Sequence, residues 1–82
     1  MAGITYAAIP FIRSDTGPAP GEPVECDGAS LAILIAKALA RRREHSGAVA
    51  YSRTSDMQGD QFSDVVVLAR FGEVPGDLTV LY

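Results

Sequence analysis

Leu31 to Ala40 reads LAILIAKALA, an apolar run broken only by Lys37, and how it winds decides the fold. Ala, Leu and Lys are strong helix formers, and neither Gly nor Pro interrupts the stretch, so a helix is expected from Ala29 to about Glu44. Asp27 or Ser30 offers a side-chain oxygen to cap its first turn. Arg41, Arg42, Arg43 and His45 then lead to Gly47, where the helix must have stopped, and His45 suits a carboxyl-terminal cap. At about 100° per residue, Leu31, Leu34, Ile35, Ala38 and Leu39 form one stripe, expected to face a sheet. Ile33, Ala36 and Ala40 fall largely on the other side, too far round for the same sheet to cover. These three are expected to meet a partner.

The segments flanking the helix read as strands. Gly3 to Arg13 contains Ile4, Thr5, Tyr6, Ile9, Phe11 and Ile12, a β-rich set in which Pro10 requires an edge, a bulge or a bend. Ser14 to Gly28 holds three Gly and three Pro, which makes it a connection. A structureless loop of that length is uncommon in a compact domain, so Val24 to Cys26 is read as a short strand returning beside the first. After the helix, Gly47 to Thr54 and Phe62 to Phe71 form a hairpin, joined by turn residues from Ser55 to Gln61. Val65 to Ala69 is apolar at every position, which places that strand centrally with both faces covered. One helix covers only one face, so the other face is a second expected contact with a partner. Leu78, Val80 and Leu81 at the chain's end are poor residues to leave in water and are expected to dock on this domain or a neighbour.

Together these readings give a single α+β domain over residues 1–82, with a small, mainly antiparallel sheet of three or four strands and one long helix packed on one face. If the first strand paired in parallel across the helix, that crossover would be right-handed.

Composition narrows the function classes. An 82-residue chain that is 48% hydrophobic folds, but at this size it buries only about 60 to 65% of the surface its unfolded chain exposes. Small domains add disulfides, a metal or oligomerisation, and the single cysteine, Cys26, rules out an internal disulfide. Self-association is the remaining route. A formal net charge of -3 disfavours nucleic acid or an anionic membrane as the main partner. The apolar amino terminus carries no preceding Lys or Arg and is broken by Pro10, unlike a secretory signal, and no apolar run approaches a membrane span of about 18 residues. The lone thiol fits a reducing cytoplasm.

No constellation identifies a reaction or a small-molecule ligand. Asp56, Asp60 and Asp64 around Gly59 suggest a calcium loop, but the glycine and the closing carboxylate fall at the wrong positions. Arg41, Arg42 and Arg43 could grip a phosphate or an acidic peptide, although cations at a helix carboxyl terminus are already favoured by the macrodipole, by about 0.3 to 1 kcal/mol. Cys26 and His45 could serve as nucleophile and base only if folding joined them, and Glu25 and Asp27 oppose a thiolate. Gly17, Gly21 and Gly28 are separated by prolines and match no phosphate-binding loop. The expected role is non-enzymatic, with no cofactor: an interaction module that pairs with itself or docks on a larger assembly through Ile33, Ala36, Ala40, Leu78, Val80 and Leu81. The alternative is an anion-binding or nucleic-acid-binding regulator using the three arginines.

Overall fold

A computed structural model describes residues 2–56 and 63–76. Six elements follow in chain order: β1 (Ala2–Ile12), β2 (Ala19–Pro20), β3 (Val24–Cys26), α1 (Ala29–Ala40), β4 (His45–Asp56) and β5 (Ser63–Gly72). They build one antiparallel sheet in the order β2, β1, β4, β5, with β3 also beside β1, and the single helix packs against it. The α+β class is as the sequence implies. Five strands rather than three or four arise because the connection between β1 and α1 contributes two very short ones.

β1 runs through the middle of the sheet, antiparallel to β4 along its whole length, from Ala2 opposite Asp56 to Ile12 opposite His45. Its other edge is shared. β3 covers Tyr6 to Ala8 and β2 covers Phe11 and Ile12. Pro10 sits in the gap between them: its carbonyl accepts the Gly21 amide at 2.8 Å, so the missing N–H faces the same side, where no strand asks for a donor. A proline is thereby tolerated inside a central strand.

β5 is not central. Among the described residues it pairs only with β4, at the end of the sheet order. Its unbroken apolar run has a different cause. The register shifts between Ala50 and Tyr51, which face Ala69 and Val67, leaving Leu68 as the extra residue of a bulge. The bulge breaks the inward and outward alternation, so Val65 and Val67 pack on one sheet face while Leu68, Ala69 and Phe71 pack on the other. Val66 remains 53% exposed.

Two apolar clusters lie on the two faces. The helix-facing cluster is made of Ala8, Cys26, Ala32, Ala36, Ala48 and Ala50, flanked by Tyr6, Ile33, Ile35, Leu39, Ala40, Leu68, Ala69 and Phe71. The opposite face holds Ala7, Ile9, Phe11, Val49 and Tyr51, with Val65, Val67 and Val74 against them. Phe11 and Val49 are fully buried there, so this second face is sheltered within the chain rather than left for a partner.

The helix phase departs from the expected one. Ala32 and Ala36 are wholly buried, whereas Leu31 and Leu34 point to solvent. Ile35 and Leu39 of the expected stripe do pack on the sheet side, so the helix is rotated rather than inverted, and the strands explain the rotation. On the helix side the sheet presents Ala8, Ala48 and Ala50 at its centre, and alanine against alanine lets the helix lie close, with Ile33, Ile35 and Leu39 filling the flanks. A leucine at the closest approach would hold the helix off and open voids beside it.

The helix ends are plain. Its amino-terminal cap position is Gly28, in extended backbone, with no side-chain cap hydrogen bond, so neither Asp27 nor Ser30 performs that task. The helix stops at Ala40, with Arg41 as the closing residue, rather than reaching Glu44. His45 does act at this end: its ring Nδ1 donates to the Leu39 carbonyl at 2.7 Å, a second donor beside the Arg42 amide at 3.1 Å.

Candidate interaction surface

With Ala32 and Ala36 innermost and Ile33, Ile35 and Leu39 on the flanks, α1 leaves Leu31 and Leu34 outward. Leu34 is 63% exposed and Leu31 39%, and Ala38 lies between them and the carboxyl end of the same exposed stripe, bordered by Ser30, Lys37 and Arg41. At about 100° per residue, Leu34 is diametrically opposite the buried face formed around Ala32 and Ala36. Ile4 and Val66 form a second exposed pair at 59% and 53%. Both belong to the helix side of the sheet, since Ile4 lies two residues from Tyr6, and Val66 shares a cross-strand row with Ser52 and Tyr6.

The residues expected at an interface are placed elsewhere. Ala36 is fully buried against the sheet of its own chain, and Ile33 and Ala40 are half-buried on the same cluster, so this face of the helix is core and not a contact surface. Leu78, Val80 and Leu81 lie outside the described residues, as does Asp60 of the acidic turn. Leu31 and Leu34, read from the sequence as core, are the residues that face outward. The available signal was the alanine content of β1 and β4, which demands small residues on the helix face that meets them.

Basic charge gathers at one end of the helix, whose first turn carries no acidic residue. Glu25 and Asp27 are exposed just before its first turn, whereas Lys37, Arg41, Arg42 and Arg43 are exposed at its last turn and beyond. The three consecutive arginines point in successive directions, so no single small anion is held by all of them at once.

Cys26 and His45 are not brought together. Cys26 lies opposite Tyr6 and His45 opposite Ile12, six positions apart along β1, a separation of about 20 Å. The Cys26 thiol is buried and donates to the Val24 carbonyl at 3.3 Å. Burial raises its pKa, with Asp27 and Glu25 adding to the effect and a hydrogen bond from the Ala8 backbone opposing it. The result is a weaker nucleophile than a free thiol at neutral pH. His45 is committed to the end of α1.

A shallow depression of about 150 Å³ opens where β1, β4 and β5 end, lined by Arg13, Ser14, Gly17, Pro18, Ser46 and Glu73. The Ser46 hydroxyl is directed at the carbonyls of Phe11 and Glu73, at 3.2 and 3.0 Å, tying the strand ends together. Among the described residues no group of three or more His, Cys, Asp or Glu is placed to hold a metal ion, and no helix is long and apolar enough to cross a membrane. In comparisons with known proteins, the chain matches no family, no curated protein and no solved structure.

Proposed function

We propose that this chain is a small protein-interaction module that associates with a second copy of itself. The observation that carries the reading is the outward stripe of α1: full burial of a leucine is worth roughly 1.5 to 3 kcal/mol, and Leu34 leaves most of that surface in water. A small domain with a marginal core gains from covering it. The support differs from what the sequence suggested, since the Ile33 side of the helix and the second sheet face are both occupied within the chain. Sedimentation or light scattering across a range of concentrations tests the proposal. A mass that doubles as concentration rises supports it, and a single monomer mass throughout removes it.

A second reading keeps Arg41, Arg42 and Arg43 as an anion or nucleic-acid contact, favoured by the exposure of all three beside one another. The negative end of the helix dipole and the net charge weigh against it. Salt-dependent binding of a phosphorylated or nucleic-acid probe, lost when the arginines are replaced, is its test; no binding at low salt ends it.

A further inference from the structure

We infer that the second face of the sheet, turned away from α1, is the docking site of residues 77–82 of the same chain. This inference does not depend on self-association. It takes Leu78, Val80 and Leu81 away from any surface offered to a partner and makes them a strap across the sheet.

The burial of this face needs a cover from within the chain. An antiparallel sheet packed on one side commonly leaves its other side wet and polar. Here the other side carries Ala7, Ile9, Phe11, Val49 and Tyr51, and Phe11 and Val49 are fully buried in a single copy of the chain. A second copy is therefore not what dries it. Val65 and Val67 belong to β5 and flank these residues within the sheet. Among the described residues, the one apolar side chain that packs on the cluster from outside the sheet is Val74. One half-buried valine does not close over a row that runs from Phe11, opposite Gly47, to Tyr51, about 13 Å along β4.

The backbone after β5 is aimed at that face. Gly72, with φ +71°, breaks the line of the strand, and the Glu73 amide donates to the Ser46 carbonyl at 2.9 Å, which fixes the turn beside Gly47. Val74 then packs on the face. Gly47 pairs with Phe11 on one side and Gly72 on the other, so the chain is delivered at the Phe11 end of the row. The six residues after Gly76 span up to about 20 Å, enough to pass Val49 and arrive at Tyr51. Four of them are apolar: Leu78, Val80, Leu81 and Tyr82. Residues 57–62 are badly placed for the same task. They join Asp56 to Ser63 at the other end of the sheet, and Asp56 lies about 23 Å from Val49 along β4.

Methyl nuclear Overhauser spectroscopy of the full wild-type chain is the experiment. Cross-peaks are expected from the methyl groups of Leu78, Val80 or Leu81 to the Phe11 ring and the Val49 methyls. Contacts from Phe11 and Val49 to Met57 or Phe62 instead, or random-coil shifts throughout residues 77–82, overturn the inference. Isotope filtering of a mixture of labelled and unlabelled chains should show the cross-peaks within one chain; finding them between chains gives the face to a neighbour's segment and overturns it as well. Leu81→Asp should erase the cross-peaks and raise the emission of anilinonaphthalene sulfonate, a dye that lights up on exposed apolar surface, several-fold. Val66→Asp, at an exposed position, should leave both at wild-type levels. Unchanged emission and cross-peaks in Leu81→Asp overturn the strap. The outer face of α1 enters none of these readouts, so self-association stands or falls separately.

Discussion

Gly47 stands directly opposite Gly72 across the ladder that joins β4 to β5, and neither position admits a side chain. A Cβ on Gly47 would sit 2.4 Å from the Phe71 carbonyl oxygen and 2.7 Å from that of Glu73. Gly72 has φ +71°, and a Cβ there would lie 2.6 Å from the Ser46 carbonyl oxygen. The obstructing atoms are all backbone, so nothing flexible can move aside. Gly47→Ala and Gly72→Ala are each expected to lower the unfolding free energy by roughly 2 to 4 kcal/mol in urea titrations. Gly76→Ala, where nothing lies within 4 Å, should stay within about 0.5 kcal/mol of wild type. Equal effects at all three positions would contradict the close approach of the two strands.

The rotated helix phase makes an unusual pair of expectations. Ala36→Leu inserts three carbons where the helix touches the sheet and should destabilise the fold by about 1 to 3 kcal/mol. Leu34→Gln removes a leucine from α1 yet should cost less than about 1 kcal/mol in a dilute monomer, since that side chain is mostly exposed. Denaturation midpoints of the two variants decide the matter, and a larger loss for the leucine would mean that the helix is rotated from the phase described.

His45 couples α1 to β4. Replacing it with alanine removes the 2.7 Å donor to the Leu39 carbonyl, which keeps the Arg42 amide, and opens space at a nearly buried site, for a cost of roughly 1 kcal/mol. Hydrogen exchange of the last helical turn should accelerate in His45→Ala more than exchange in the first turn. Uniform acceleration along the helix would argue that the ring acts only as filler.

Cys26 predicts an alkaline effect. Because burial raises the thiol pKa above its ordinary 9.0, the folded chain holds this proton to higher pH than the unfolded chain does. The associated stability is complete below about pH 9 and is lost as pH rises through the folded value. In Cys26→Ala the fall in urea midpoint between about pH 8 and pH 10.5 should be shallower than in wild type. Parallel curves would show that the thiol ionises alike in both states. Reaction of the folded protein with a thiol reagent at neutral pH should also lag behind that of the urea-unfolded chain.

Much of the fold is legible in the residues. β-branched and aromatic content marks β1, β4 and β5, glycine and proline mark the connection, and the return of Val24 to Cys26 beside the first strand follows from the length of that connection. The surface was less legible. Hydrophobicity ranks leucine above alanine and so turns Leu31 and Leu34 inward, whereas the sheet's own alanines select a partner by shape rather than by transfer free energy. A bulge at Leu68 likewise has no mark in the sequence, because Val65 to Ala69 reads the same whether a strand is buried on both faces or shifts its parity midway.

The pairing of β1 with β4 also sets the order in which this protein can assemble. The opening strand finds its long neighbour only after the connection and α1 have been made, with Ala2 matched to Asp56 at the far end. Loop closure over that span costs entropy before any ladder bond repays it, so α1 can flicker into existence early while the sheet must wait. A domain of this size thus belongs with the millisecond-scale folders rather than with helical bundles of equal length, and until β4 arrives, Ile9 and Phe11 are exposed to whatever else is nearby.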